Sequence, residues 1–482
     1  MTQRATSFRD PAGTTCLFDQ RVLRLLTAEG TAAVEAFLET STARDFCARN
    51  NLVRTRRLEP DEITALSLTA DWEKHLHSKP GAAVFEHERI PFANYPYEWP
   101  AEMLWEAGQL TLELAATSLE EGYGLKDATP FNVLFRGAEP VFVDLASFER
   151  RRAGDPVWNP YGQFVRTFLL PLLAYERWGV DLAQVFLVHR DGLEPEHVYS
   201  FCGPLERFRP QILGLVTMPT WLGGKGKAEA ERLYQKRTLA DPEKANFILA
   251  SVIERLRKSL AALKPKPKRN STWSNYMSAH TYSESAFGVK QKFVGELFEQ
   301  FKPERVLDVG SNTGHFSVLA AQAGAEVVAI DADPACVGQT WRRAREQHLA
   351  ILPLVMDLSR PSPGVGWRNR ECSAFLDRTK GFFDGVFMLA VVHHLLVTER
   401  IPLEEIIHLA AELTTSLLII EFIAPQDEMF RQLTRGRDHL HADLDEAAFE
   451  RVCAAYFEMV RSQTLPGTQR RLYGFKRKEG AA

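Results

Sequence analysis

The chain has 482 residues, 45% of them hydrophobic and 25% charged, ordinary globular values that exclude a disordered, collagenous or fibrous protein. A single hydrophobic core stops growing at ~250 to 300 residues, so this length calls for two domains. Lysine and arginine total 58 against 62 for aspartate and glutamate, a net charge of −4, which gives no general attraction to nucleic acid or an anionic membrane. The cysteines, Cys16, Cys47, Cys202, Cys336, Cys372 and Cys453, form no C-x-x-C pair that could begin a zinc site, and they read as small buried apolar residues. Residues 1–19 lack the apolar core of a secretory signal, and no later run approaches a membrane span. The expectation is a cytoplasmic protein with no bound metal and neither nucleic acid nor membrane as a partner.

In chain order, residues 1–262 read as an N-terminal α+β domain. Its most informative stretch runs from Leu125 to Asp144, where two short apolar segments around a Gly/Pro-containing turn at 136–140 predict a hairpin. That hairpin would set Asn132 and Asp144 at adjacent strand ends, with Asp127 on the loop before them. Two carboxylates and a carboxamide placed this way could hold Mg²⁺ or accept a hydroxyl proton. The stretch resembles the catalytic loop and metal-binding segment of protein-kinase-like phosphotransferases. The resemblance implies a catalytic role for Asp127 and metal-binding roles for Asn132 and Asp144.

The chain departs from the kinase pattern in several places. Asp144 is followed by Leu145-Ala146 instead of Phe-Gly, and Leu125-Lys126 stands where His-Arg is usual. Gly13 and Gly30 are the only glycines before Gly81, so no phosphate-binding glycine loop can be drawn. Lys74, Lys79 and Lys126 are the only lysines before Asp127, and none lies in a clear apolar strand. The region is read as kinase-like in fold at best, serving either as an acceptor-binding module or as a second phosphotransferase site. Tyr95, Tyr97 and Trp99 are candidates to line an acceptor groove, with core packing as the alternative. The wider pattern, including Asp144–Glu149 and Trp158–Phe164, resembles the N-terminal part of two-domain bacterial methyltransferases related to nodulation host-specificity proteins.

Residues 263–272 alternate lysine and proline before a polar run, a composition that favours an extended, solvated linker. Beyond it, residues 273–482 form the second predicted domain. Residues 283–301 read as an amphipathic helix with Phe293, Leu297, Phe298 and Phe301 on one side. Strand-like runs at 305–309, 326–331, 352–357, 385–389 and 416–422 then alternate with helical stretches, predicting a doubly wound, mostly parallel α/β sheet. Two closing strands, 457–464 and 471–476, flank a turn at 465–468 and would add an antiparallel strand.

The first of these parallel strands ends in Val306-Leu307-Asp308-Val309-Gly310-Ser311-Asn312-Thr313-Gly314. Its glycines permit close approach of a ligand to the backbone at the sheet edge where open α/β folds bind ligands. Asp331 ends the next strand, where its oxygens could accept bonds from both hydroxyls of an unphosphorylated ribose. Asp357 ends the third, where it could meet an adenine amino group. This constellation resembles the class I S-adenosylmethionine-dependent methyltransferases, whose first motif is written D-x-G-x-G-x-G. Asp308, Gly310 and Gly314 match, and Asn312 stands where the middle glycine is usual.

The resemblance implies that S-adenosylmethionine is the cofactor. Its methionine part would pass the loop Gly310, Ser311, Asn312 to Gly314, its ribose would meet Asp331, and its adenine would meet Asp357 or Leu358. A nicotinamide-binding Rossmann domain is the competing reading, against which G-x-G-x-x-G is absent, Asn312 and His315 occupying glycine positions. Catalytic candidates are His393 or its neighbour His394 as general base, and Glu421 at the end of the fifth strand. Each of these also has a plain packing reading. Tyr276, His280, Tyr282 and Lys290, ahead of the first strand, are candidates for a lid. The expected activity is methyl transfer to a small molecule, glycan or biosynthetic intermediate. A bifunctional kinase-like phosphotransferase and methyltransferase, and a non-catalytic cofactor-binding regulator, stand as alternatives.

Overall fold

The computed structural model describes residues 4–7, 10–18, 20–66, 81–223, 238–267 and 284–480. The chain divides into two compact units, Met1–Lys266 with Val365–Cys372, and Pro267–Gly364 with Ser373–Ala482. The division falls inside the lysine/proline run, whose residues 268–272 lie outside the described residues, as do Lys74, Lys79, Tyr276, His280 and Tyr282. Division by sequence position alone does not foresee that Val365–Cys372 groups with the first unit.

The first unit begins with strands β1 (Arg4–Ser7), β2 (Gly13–Phe18), β3 (Arg21–Leu26), β4 (Thr55–Arg57) and β5 (Ala83–His87). They pair antiparallel in the order β1-β2-β3-β5-β4. Leu23 and Leu25 on β3 and Val84 on β5 pack with Cys16 and Leu58 into one apolar cluster. Helix Ala101–Glu120 buries Met103, Leu104, Ala107, Leu110, Leu114 and Ala115, a spacing of three and four residues that makes one continuous apolar stripe. Strands β6 (Tyr123–Leu125) and β9 (Phe148–Arg150) pair with each other, as do β7 (Val133–Arg136) and β8 (Glu139–Phe142). The β7–β8 pair is the hairpin expected around 136–140, with Gly137 at φ 58° in its turn. Helix Pro242–Ala261 starts on an Asp241 cap and a proline in its first turn, and its Leu260 carbonyl accepts a bond from the Trp105 indole at 2.8 Å.

In the second unit, helix Glu284–Phe301 precedes β10 (Arg305–Val309), β11 (Glu326–Asp331), β12 (Ile351–Val355), β13 (Phe383–Met388), β14 (Thr414–Ile423), β15 (Phe457–Thr464) and β16 (Arg470–Arg477). The sheet order is β12-β11-β10-β13-β14-β16-β15, parallel through β14 and antiparallel across the last two pairings. β10, β11 and β13 read as near-continuous apolar runs because helices cover both faces of a parallel sheet. Strand order reverses between β10 and β13, and the crevice outside the strand ends at such a reversal is where open α/β sheets bind ligands. Among the described residues no helix is long and apolar enough to cross a membrane, and all six cysteines are unpaired with each other.

Candidate active site

Three adjacent parallel strands deliver three acids to one edge of the second unit. Asp308 lies on β10, Asp331 ends β11 and Asp357 follows β12. All three line a cavity of about 760 Å³ together with the loop at 310–313 and Leu358, a volume ample for a nucleoside-sized ligand.

The loop geometry explains its glycines. Gly310 has φ 67°, and a Cβ there would stand 2.5 Å from Val391 Cγ2. Gly314 has φ 74°, and a Cβ there would stand 2.6 Å from Thr340 Cγ2. Left-handed backbone and close packing each favour glycine at both positions. Asn312 has φ 50°, a region asparagine visits more readily than most residues, and its side chain accepts a bond from the Thr313 amide at 2.7 Å. Ser311 is bonded through its amide to the Ile330 carbonyl at 3.0 Å, tying the loop to the end of β11.

Asp331 is not a helix cap. Asp333 fills that role, accepting from the Ala335 amide at 2.9 Å. The Asp331 carboxylate accepts instead from the amides of Asn312 (2.8 Å) and Asp333 (2.9 Å), bracing the loop from the neighbouring strand. Burial is the main cause that raises its pKa to about 6, against these amide bonds. Asp308 accepts from the Ser317 hydroxyl at 2.6 Å. Burial pushes its pKa up to about 7 despite that bond, with Asp331 adding to the rise and Lys290 opposing it. One oxygen of Asp357 accepts from both the amide and the hydroxyl of Ser359, at 2.9 and 2.6 Å.

The catalytic candidates separate clearly. His394 lines the cavity and His393 does not. His393 is 1% exposed, and neither ring nitrogen has a hydrogen-bond partner among the described residues. Burial, with His394 and Arg470 nearby, pushes its imidazole well below the ordinary value, so it is a neutral core residue. The chain reverses at Ala390, φ 59°, and enters a π-helical turn at His394–Thr398. That geometry turns one member of the pair outward and the other inward. Glu421 is fully buried, outside the cavity lining, and paired with Lys290 Nζ at 2.6 Å.

Lys290 carries more weight than its sequence reading as a lid residue implies. It sits on helix Glu284–Phe301, lines the cavity and lies 5.3 Å from the Phe316 ring centre. It is the only lysine or arginine lining that cavity among the described residues. The signal in the sequence is a lysine on an otherwise apolar helical face.

In the first unit, Asp127, Asn132 and Asp144 do come near one another. Asn132 Nδ2 donates to the Ser147 hydroxyl at 3.2 Å, and that hydroxyl donates to Asp144 Oδ2 at 2.5 Å. Asp144 Oδ1 accepts from Arg24 Nη1 at 2.5 Å, and Arg24 also pairs with Asp10. Burial would raise Asp144, but the Arg24 charge and the Ser147 bond hold it below the ordinary carboxylate value. Asp127 is raised, chiefly by burial and then by Asp144, and accepts from Gln163 Nε2 at 3.4 Å. Arg24 lies on the third strand, β3, where a pattern built on lysine does not find it. Trp99 and Tyr97 are 1% and 2% exposed, and the Trp99 indole donates to Asn94 Oδ1 at 2.9 Å. Both belong to the core, and Tyr95 packs half-buried with its ring 5.5 Å from that of Tyr97. No group of three or more metal-ligating side chains occurs among the described residues.

Comparison with known proteins adds independent findings. Residues 278–456 match the family model described as a methyltransferase domain. Over 477 residues the chain is 29% identical to nodulation protein NoeA of Rhizobium meliloti (strain 1021), covering 98% of this chain and 96% of that protein. Similar solved structures include the magnesium protoporphyrin IX methyltransferase of Synechocystis PCC 6803 with bound S-adenosylhomocysteine. It is 20% identical, covers 42% of this chain and 92% of its own, and has a TM-score of 0.30. The N-methyltransferase NodS of Bradyrhizobium japonicum WM9 is 14% identical over 41% of this chain and 99% of its own, TM-score 0.31. The bifunctional kinase-methyltransferase WbdD is 17% identical over 44% and 43%, TM-score 0.29.

Proposed function

We propose that the second unit is an S-adenosylmethionine-dependent methyltransferase domain, as the methyltransferase-domain match over residues 278–456 supports, and that its cavity holds the donor in one defined direction and presents it to a small-molecule or glycan acceptor. The observation that carries the orientation is the distribution of charge around the cavity, with the carboxylates of Asp331 at the end of β11 and Asp357 just after β12, and the lining lysine, Lys290, on the helix ahead of β10. Asp331 would accept the ribose hydroxyls with the lone pairs left by its two amide bonds. Asp357 and Leu358 would meet the adenine, the acid at its amino group and the leucine at its face. The loop Gly310, Ser311, Asn312 and Gly314 would lie along the methionine part, for which Lys290 would offer a partner to the carboxylate and Asp308 a partner to the ammonium.

When bound, the donor would supply an electrophilic methyl group on a sulfonium, for in-line transfer to an acceptor atom with the neutral thioether as leaving group. The protein contributes alignment and the removal of the acceptor's proton. His394 is suited to taking that proton, because it lines the cavity and burial lowers its pKa, which leaves the imidazole neutral near pH 7. Ala390, Val391 and Leu395 supply apolar wall that keeps water from the reacting centre.

For the first unit the supported reading is a module without phosphoryl transfer. In protein kinases a lysine on the third strand of the N-terminal sheet reaches the nucleotide phosphates, and an aspartate holds the metal. Here β3 carries Arg24, which already spans Asp144 and Asp10. Calorimetric titration of the full chain with S-adenosylmethionine and with NAD tests the central claim. Binding of the first and not the second is expected, and preference for NAD would overturn it.

A further inference from the structure

A second cavity, of about 300 Å³, lies in the methyltransferase unit and is lined by Leu396, Val397, Arg400, Ile401, Pro402, Thr434, Arg437, Leu440 and His441. It shares two walls with the donor cavity. The π-helical turn His394–Thr398 gives His394, Leu395 and Thr398 to the donor cavity but Leu396 and Val397 to the second. Helix Glu428–Thr434 gives Leu433 to the first and Thr434 to the second. Glu399 lines one and Arg400 the other, so consecutive residues of one segment face the two cavities.

The chemistry of this second cavity is one-sided. Among the described residues its lining includes Arg400, Arg437 and His441, and no aspartate or glutamate. Glu399, which precedes Arg400 in sequence, is engaged by Arg360 at 2.7 Å. Arg437 donates from Nε to its own turn, to the Thr434 carbonyl at 3.5 Å. Neither Arg400 nor Arg437 forms an ion pair among the described residues. Three left-handed residues, Arg400 (φ 57°), Arg435 (φ 49°) and Gly436 (φ 82°), shape the turns on which these two side chains stand. Two non-glycine residues held in that region mark a backbone conformation maintained at some cost, as binding sites often require.

We propose that this cavity is the anchoring subsite for the methyl acceptor and that the acceptor carries an anionic group, a phosphate, sulfate or carboxylate, gripped by Arg400 and Arg437. Guanidinium groups match such oxyanions through paired donors in fixed geometry. The anchored molecule reaches past Glu399–Arg400 into the donor cavity, bringing its reacting atom to the His394 side. The apolar residues Leu396, Ile401 and Leu440 admit a hydrocarbon or sugar-ring face beside the anion. This inference rests on the reading of the donor cavity given above.

Inorganic pyrophosphate is the probe, titrated calorimetrically into the full chain with S-adenosylhomocysteine present. Saturable binding is expected, weakened about tenfold or more in Arg400→Gln and Arg437→Gln and abolished in the double variant. Binding of S-adenosylhomocysteine itself, measured on the same variants, is expected to stay unchanged. With methyl-labelled donor and a small-molecule extract, the labelled product is expected to be retained by an anion exchanger at pH 7. No saturable pyrophosphate binding, binding indifferent to the double variant, or a neutral labelled product would each overturn the anionic subsite. A failure of the wild-type chain to bind S-adenosylhomocysteine would strike the donor-site reading instead, so the two are distinguishable.

Discussion

On the proposed reading, Asp331 concentrates the chemistry of the donor site in one side chain. Its carboxylate both braces the loop amide of Asn312 and has lone pairs left for a ribose. Asp331→Ala should therefore lower donor affinity about tenfold or more, since a bond to a charged group contributes ~1.5 to 3 kcal/mol. It should also destabilise the apoprotein by about 1 to 3 kcal/mol by orphaning two amides. Calorimetry and thermal melts on the same variant check both, and unchanged donor affinity would remove Asp331 from the site.

The raised pKa values of the site acids add a pH dependence. Asp331 at about 6 and Asp308 at about 7 both lie above the ordinary ~3.9 of an unfolded aspartate. Between those limits the folded apoprotein binds more protons than the unfolded chain. Its stability from these groups is therefore greatest at low pH, falls as pH rises from about 4 to about 7, and is level above. Donor binding favours the ionised carboxylates, so affinity should strengthen from about pH 5.5 to about pH 8, with protons released on binding near pH 6.5. A flat affinity across that range, measured in buffers of differing ionisation enthalpy, would contradict the assignment.

At the scale of elements, helix Glu284–Phe301 is joined to β14 by the buried Lys290–Glu421 pair. Breaking a buried ion pair by removing one partner is destabilising, by up to ~3 to 5 kcal/mol. Glu421→Gln should thus lower the melting temperature sharply and weaken donor binding through a displaced Lys290. A general base replaced by glutamine would instead leave stability intact and abolish turnover alone, so the two measurements together assign the role. The π-helical turn after β13 makes a parallel distinction. His394→Gln should lower the methyl-transfer rate and remove its acid-side pH dependence while sparing donor affinity. His393→Gln should act mainly on stability, since His393 lies within the core.

For the molecule as a whole, every residue lining the proposed donor cavity belongs to the stretches 267–364 and 373–482. A fragment of residues 267–482 should therefore fold and bind the donor with the affinity of the full chain. Loss of donor binding by a folded fragment would show that the first unit is required. The first unit should turn over no ATP with Mg²⁺ or Mn²⁺, because Arg24 already occupies the carboxylate that a metal would need. Turnover that vanishes in Asp127→Asn and Asp144→Asn would make the chain bifunctional.

The sequence by itself determined what is local. Apolar strand runs alternating with helices specify a parallel sheet, and the spacing of Asp308, Gly310, Gly314, Asp331 and Asp357 places each at a strand end or turn, because strand period and glycine conformation are properties of a few consecutive residues. The tertiary structure alone decided the partnerships that close over long separations. Glu421 meets Lys290 across 131 positions and Asp144 meets Arg24 across 120, and nothing in either neighbourhood announces the other. It also decided which of two adjacent histidines faces the cavity, since a π-helical turn and a left-handed Ala390 rotate the pair by amounts no periodicity encodes. It moved Tyr97 and Trp99 from candidate groove to core, because an aromatic ring packs equally well in either place and only its neighbours settle the matter.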